Sequence, residues 1–237
     1  MAEPEGGGMT EAERIYRING VELALPETLT SKGIAAKLSD GTYEADEARV
    51  VDRCVRPGFR VLELGAGIGY VGTLAARKTE PENVLSVEAN PALLPVIAAN
   101  HARNGVRGIS VLHAAVVGHA PDGATADFHQ SPGFTGSRLG APGGSQVEVP
   151  LVGFHELLRA HRPHVVLMDV EGAEAHLFDQ AWKCPLRFCV MEIHPKRYSP
   201  EVIKKIVDRM SAMDMTYDPV TSRGKILGFR RVWSEGA

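Results

Sequence analysis

Cysteine is scarce: Cys54, Cys184 and Cys189 are the only three, an odd number with no CxxC pair. That pattern excludes a disulfide framework and the common structural zinc motifs, and it predicts reduced thiols. Aromatic residues make up only 6%, and neither sign of charge dominates: 26 Lys and Arg stand against 29 Asp and Glu, a net charge of -3. Such a balance leaves no broad basic face for nucleic acid. No apolar run approaches the roughly 20 residues that cross a bilayer. The opening residues Met1 to Gly8 lack both the basic start and the apolar stretch of a secretory signal. The reading is a cytoplasmic protein with no membrane span. What is abundant is ordinary core-forming material, 44% hydrophobic over 237 residues, enough to bury about 70% of the extended surface without staples.

Residues 1–10 are rich in Gly and Glu and read as a disordered tail. Residues 11–57 read as a hairpin and helices that pack on the main body. Asn19-Gly20 separates two short apolar runs, and that pair favours a tight hairpin because both turn positions need positive φ. Ile15, Tyr16 and Leu23 of this hairpin offer an apolar patch for a homo-oligomer contact. Residues 44–55 place Ala45, Ala48, Val51 and Val55 on one helical face, and Pro57-Gly58 ends it. From residue 58 to 237 strand-like and helix-like segments alternate. Strands are expected at 60–64, 83–87, 109–117, 164–168 and 187–191, with helices at 71–77, 92–104, 173–182 and 201–213. Between them, residues 119–148 are crowded with Gly and Pro and read as a loop-rich insertion with room for a ragged hairpin. This alternation predicts βαβ units, a mostly parallel sheet with helices on both faces, and an antiparallel edge formed by the last two strands, at 217–220 and 226–233.

Ligands of such sheets sit outside the carboxyl ends of the strands. The first end reads Glu63-Leu-Gly65-Ala66-Gly67-Ile-Gly69-Tyr70. The dinucleotide fingerprint G-x-G-x-x-G fails in this register, since the sixth position from Gly65 is Tyr70. E-x-G-x-G-x-G instead suits a nucleoside without pyrophosphate, with Glu63 available to an ammonium group. The second strand ends at Glu88, followed by Ala89 and Asn90, and an acidic side chain there accepts both hydroxyls of a ribose. Together these features point to S-adenosylmethionine rather than NAD. Tyr43, ahead of the first core strand, is placed to cover the methionine end, and Ala115 on the third strand lies beside the same site.

A second constellation lies at the far strands. Asp169, Glu171 and Glu174 follow the fourth core strand, and Glu192 and His194 end the next. Parallel neighbours bring these groups to one rim, where burying so many carboxylates without purpose is costly. The run Asp169-Val-Glu-Gly-Ala-Glu174, with the upstream glycine turn and the downstream Glu192-Ile-His194, resembles the FkbM family of S-adenosylmethionine-dependent methyltransferases. The similarity spans Tyr43 to His194. It implies a Rossmann-like class I methyltransferase fold with a seven-stranded sheet, and O-methylation of sugars, glycolipids or secondary metabolites. The sequence departs from the family pattern at Glu63, where Asp is frequent, at Gly67, where Asn is frequent, and at Phe154-His155, where Leu-Asp is usual.

For such a transfer His194 reads as the general base and Asp169 as the group that orients the acceptor hydroxyl or the cofactor amine. Glu171 reads as the holder of a second hydroxyl. A variant in which Asp169, Glu171 and His194 bind Mg²⁺ ranks behind this, because no compact ligand motif is present. His129, Phe134 and Arg138 mark the insertion as a substrate wall. The acceptor is expected to be a small-molecule hydroxyl rather than a nucleic acid. Two other classes remain, an NAD-dependent oxidoreductase and a non-catalytic nucleotide-binding module.

Overall fold

The computed structural model describes residues 12–131, 134, 136–140, 145–182 and 184–233, and the expected N-terminal tail lies outside them. The chain opens with β1 (Glu13–Ile18), β2 (Val21–Pro26), α1 (Lys32–Ser39) and α2 (Ala45–Cys54). Alternation follows with β3 (Val61–Leu64), α3 (Tyr70–Lys78), β4 (Val84–Glu88), α4 (Leu94–Arg103) and β5 (Ser110–His113). The insertion carries β6 (Ala115–Val117), β7 (Thr125–Gln130), β8 (Arg138–Leu139) and β9 (Ser145–Gly153). The rest comprises α5 (Phe154–His161), β10 (Val165–Met168), α6 (Glu174–Leu177), β11 (Phe188–Glu192), α7 (Pro200–Ala212), β12 (Met215–Tyr217) and β13 (Ile226–Arg231).

The main sheet has seven strands in the order β12-β13-β11-β10-β3-β4-β5. The five strands from β11 to β5 are parallel, whereas β13 runs antiparallel to both β11 and β12. The sheet is therefore mixed, and its reversed strand lies one in from the edge, with β12 outermost. The two final strands do pair antiparallel, as the lack of a helix between them requires. Strand alternation sends Val61, Val165 and Val190 to one face, against α2, α3, α4 and the hairpin. Leu62, Leu64, Val166 and Met168 meet α5 and α7 on the other.

The hairpin turns at Asn19 (φ 49°) and Gly20 (φ 74°), the paired positive values its sequence predicts. It docks through fully buried Asn100, whose Oδ1 accepts from Ala24 N at 2.8 Å while Nδ2 donates to Ala24 O and Ile68 O at 3.2 and 2.9 Å. Leu23 is wholly buried, so of the expected oligomer patch Ile15 alone is fully exposed.

Three expectations change. The single third strand is two: β5 closes the main sheet, then the chain turns at Ala114, whose N–H bonds Glu88 O, and β6 pairs in parallel with β9. The loop-rich insertion is a four-stranded sheet, β6-β9-β7-β8, in which β7 and β9 pair from Thr125↔Pro150 to Gln130↔Ser145. Alternating Val147 and Val149 carry that strand, a signal masked by the surrounding Gly and Pro. The helix expected over 173–182 stops at Leu177. Lys205 and Arg209 of α7 take the carbonyls of Ala175, Phe178 and Asp179, the groups that further helical turns would have used. No described helix is long and apolar enough to cross a membrane.

Candidate functional site

A cavity of about 690 Å³ opens at the carboxyl ends of β3, β4 and β10 and is roofed by the insertion, a size that suits a nucleoside plus a small partner. Its floor is the glycine turn. Gly65 N and Ala66 N donate to Val87 O at 2.9 and 3.2 Å, and Asp169 N donates to Leu64 O at 2.9 Å, so three strand ends are stitched together. At Gly65 (φ 87°) a Cβ would lie 2.0 Å from Asp169 O, and only glycine fits. At Gly67 (φ 55°) a Cβ would sit 3.0 Å from Tyr43 Oη and 3.4 Å from Glu44 Oε1, which fixes both side chains directly over the turn.

Glu88 ends β4 almost wholly buried but on the cavity wall. Its Oε2 accepts from Gly67 N at 2.9 Å and its Oε1 from Asn90 N at 2.8 Å. Burial pushes its pKa up to about 7 against the pull of these amides. A carboxylate has about four acceptor sites, so the pair of backbone bonds leaves lone pairs for a ribose diol. Asn90 caps the following turn through Ala92 N and accepts from Gln130 Nε2 at 2.8 Å, tying the β4 end to the insertion.

The acidic rim forms as β10 meets the turn before α6. Asp169 and Glu171 line the cavity, and His194 stands behind them on the segment after β11. His194 Nε2 lies 3.5 Å from Asp169 Oδ1 and 3.5 Å from Glu171 Oε2, and its Nδ1 lies 3.5 Å from Glu174 Oε1. Burial alone would lower the His194 pKa, but Glu174, Asp169 and Glu171 outweigh it and raise it. Burial raises Asp169 as well, helped by Glu192 and Glu171. Glu171 sits at φ 53°, a left-handed conformation costly for a non-glycine residue. From there Oε1 accepts from Gly136 N at 2.8 Å and Oε2 from Arg197 at 2.7 Å.

Of the residues expected at the cofactor, Tyr43, Gly65, Gly67, Glu88, Ala89, Asn90, Ala115 and Asp169 line the cavity. The structure takes four others away from it. Glu63 turns beneath α3, where the Ser86 hydroxyl and Gly72 N donate to it, and burial lifts it to about 7. Ala66 is buried within the turn, and Gly69 caps α3 against His101. The Tyr70 hydroxyl faces the hairpin, accepting from Asn19 Nδ2 at 2.8 Å. His194, expected as the base, does not line the cavity, because Asp169 and Glu171 stand in front of it. Glu171, expected to hold an acceptor hydroxyl, lines the cavity with one protein donor on each oxygen.

Sequence reasoning missed Glu44 and Gln130. Glu44 opens α2 and resembles a solvated first-turn acid. Gln130 sits in the strand hidden by the insertion's composition. Of the three insertion residues expected there, Phe134 and Arg138 line the cavity wall, joined by Lys196 and Arg197, and His129 does not. Among the described residues one group matches metal-ligand spacing: Asp169, Glu174 and His194, each with one ligand atom within 4.8 Å of the others. Glu174 stands in this group where the sequence suggested Glu171, whose Oε2 is also bonded by Arg197.

The family model described as methyltransferase FkbM domain matches residues 63–218. No curated protein matches the chain. Among solved structures, a Pyrococcus horikoshii protein aligns with a TM-score of 0.50 at 12% identity, covering 93% of this chain and 72% of that one. TYW2 from M. jannaschii, in complex with AdoMet, aligns with a TM-score of 0.48 at 13% identity, covering 94% and 88% of the two chains. A SAM-dependent O-methyltransferase from Thermotoga maritima gives 0.45 at 10% identity, with 94% and 79% covered.

Proposed function

From the premise that this chain belongs to the FkbM methyltransferase family, with S-adenosylmethionine as its cofactor, we propose that it methylates a hydroxyl of a small molecule, with Asp169 as the base. The observation that carries the reading is Asp169 itself. It lies on the cavity wall beside the glycine turn, with its buried Oδ1 3.5 Å from His194 Nε2. When bound, the cofactor supplies an electrophilic methyl group on a sulfonium. The chain supplies the rest. Gly65 and Gly67 let the backbone approach, Glu88 offers its free lone pairs to the ribose, and the insertion shields the cavity from water.

An aliphatic hydroxyl attacks well only as its proton leaves, and Asp169, on the cavity wall with Oδ1 turned back to His194, is the carboxylate beside the space where it would sit. Burial among acids lifts Asp169 toward neutrality, which makes it a stronger base than an exposed aspartate. His194 is then a positioning residue: its charge tempers that rise and holds the carboxylate in place. Phe128, Phe134 and Leu139 with Arg138 form a partly apolar wall, which supports a small acceptor with apolar surface beside its hydroxyl.

The test is Asp169→Asn assayed on an acceptor found by screening hydroxylated metabolites with labelled cofactor. Loss of turnover by about 10²–10⁴-fold with unchanged S-adenosylhomocysteine binding is expected. His194→Gln is expected to move the rising limb of kcat against pH upward, since a cation beside the base is lost. Near-normal turnover in Asp169→Asn would remove the assignment.

A further inference from the structure

Four carboxylates line the cavity: Glu44, Glu88, Asp169 and Glu171. Three have partners that explain their place. Glu88 takes two backbone N–H groups, Glu171 takes Gly136 N and Arg197, and Asp169 faces His194. Glu44 differs. Among the described residues no Lys, Arg or His forms an ion pair with it, and the nearby Arg49 and Arg223 are turned to Asp46 instead. Burial raises its pKa well above the ordinary carboxylate value and the acids Glu47, Glu63 and Asp169 add to that, while the neutral Tyr43 hydroxyl, its hydrogen-bonding neighbour, opposes the rise.

The backbone at Glu44 shows that the side chain is aimed. Glu44 occupies the N-cap position of α2 in the left-handed region (φ 45°, ψ 39°), yet makes none of the side-chain capping bonds usual there. Its Oε1 lies over Gly67 instead, next to the Tyr43 hydroxyl. Gly67 is thus held between two acids, with its N–H on Glu88 and its open α-carbon face under Glu44. A ribose held on Glu88 would leave its 5′ substituent free to cross this turn toward Glu44.

We propose that Glu44 binds the α-ammonium of the cofactor's methionine end, the cationic partner that Glu44 otherwise lacks among the described residues. This deepens the cofactor half of the reading above and is independent of which acceptor is methylated. It transfers to Glu44 the role that the strand-end Glu63 suggests from sequence, since Glu63 is spent beneath α3. A charge-assisted hydrogen bond in a partly buried site is the strong kind, so its loss is measurable.

Calorimetry decides it on intact wild-type protein and Glu44→Gln, each titrated with S-adenosylhomocysteine and with 5′-methylthioadenosine, which keeps the nucleoside and lacks the amino-acid end. Glu44→Gln is expected to weaken S-adenosylhomocysteine at least about tenfold and methylthioadenosine less than about twofold. Equal weakening of both ligands, or S-adenosylhomocysteine affinity within threefold of wild type, overturns the assignment. Binding of neither ligand to wild type overturns it together with the cofactor assignment beneath it. If Glu44→Gln does not fold, Glu44→Asp, which keeps the charge and shortens the reach, carries the same comparison with a smaller selective loss expected.

Discussion

Replacing Glu63 by glutamine separates a structural acid from a ligand-binding one. Glu63 is 3% exposed, accepts from the Ser86 hydroxyl and Gly72 N, and has its pKa raised from 4.5 to about 7 by burial. Because the folded pKa lies above the unfolded one, the native state holds the extra proton. The stabilisation is complete below about pH 4.5 and is lost as pH rises through about 7. The shift corresponds to roughly 3 kcal/mol, at about 1.4 kcal/mol per pKa unit. An amide keeps both hydrogen bonds, accepting from Gly72 N and donating to the Ser86 oxygen, and has nothing to titrate. Urea denaturation of both proteins between pH 5 and pH 8.5 should therefore show Glu63→Gln gaining about 2–3 kcal/mol on wild type across that range. S-adenosylhomocysteine affinity should stay within threefold. Parallel stability curves would show that Glu63 ionises without penalty, and a tenfold loss of affinity would show that it reaches the cofactor after all. Either result refutes the argument.

Asn100→Ala should cost about 3 kcal/mol by urea denaturation, because it strands the buried N–H and C=O of Ala24 and the carbonyl of Ile68; a loss under 1 kcal/mol would show that the hairpin docks by apolar contact alone. Methyl transfer should survive excess EDTA, and a loss restored by Mg²⁺ or Mn²⁺ would instead make ligands of Asp169, Glu174 and His194.

The fold was legible in the sequence wherever pattern and punctuation agreed. The parallel strands announced themselves as short apolar runs, Asn19-Gly20 as a turn, and Glu88 as a strand-end acid over the cavity. Composition misled in the insertion, where Gly and Pro hid a strand whose alternation is plain once its partner is seen. Spacing along one chain also cannot tell which way a strand-end side chain leaves the sheet. Glu63 and Glu88 both belong to parallel strands, yet one is swallowed by a helix that carries Gly72 at the contact and the other faces the cavity. Glu44 was invisible for a related reason. Its importance lies in a left-handed backbone that bends it over Gly67, and no periodicity encodes that. His194 does lie beside Asp169, Glu171 and Glu174, but depth behind the rim is a three-dimensional quantity.

The docking of the hairpin carries a consequence for how the protein is made. Ala24 is held by Asn100, 76 residues further along the chain, and an isolated two-stranded hairpin is marginal in water. On the ribosome the hairpin must wait until α4 has emerged before it has a seat. The first described residues to be synthesised are therefore settled only after the βαβ core has formed, and they do so by closing a long loop. Tyr43 and Glu44 lie between Ala24 and Asn100, so the contact that seats the hairpin also closes the stretch of chain that carries the wall over the glycine turn.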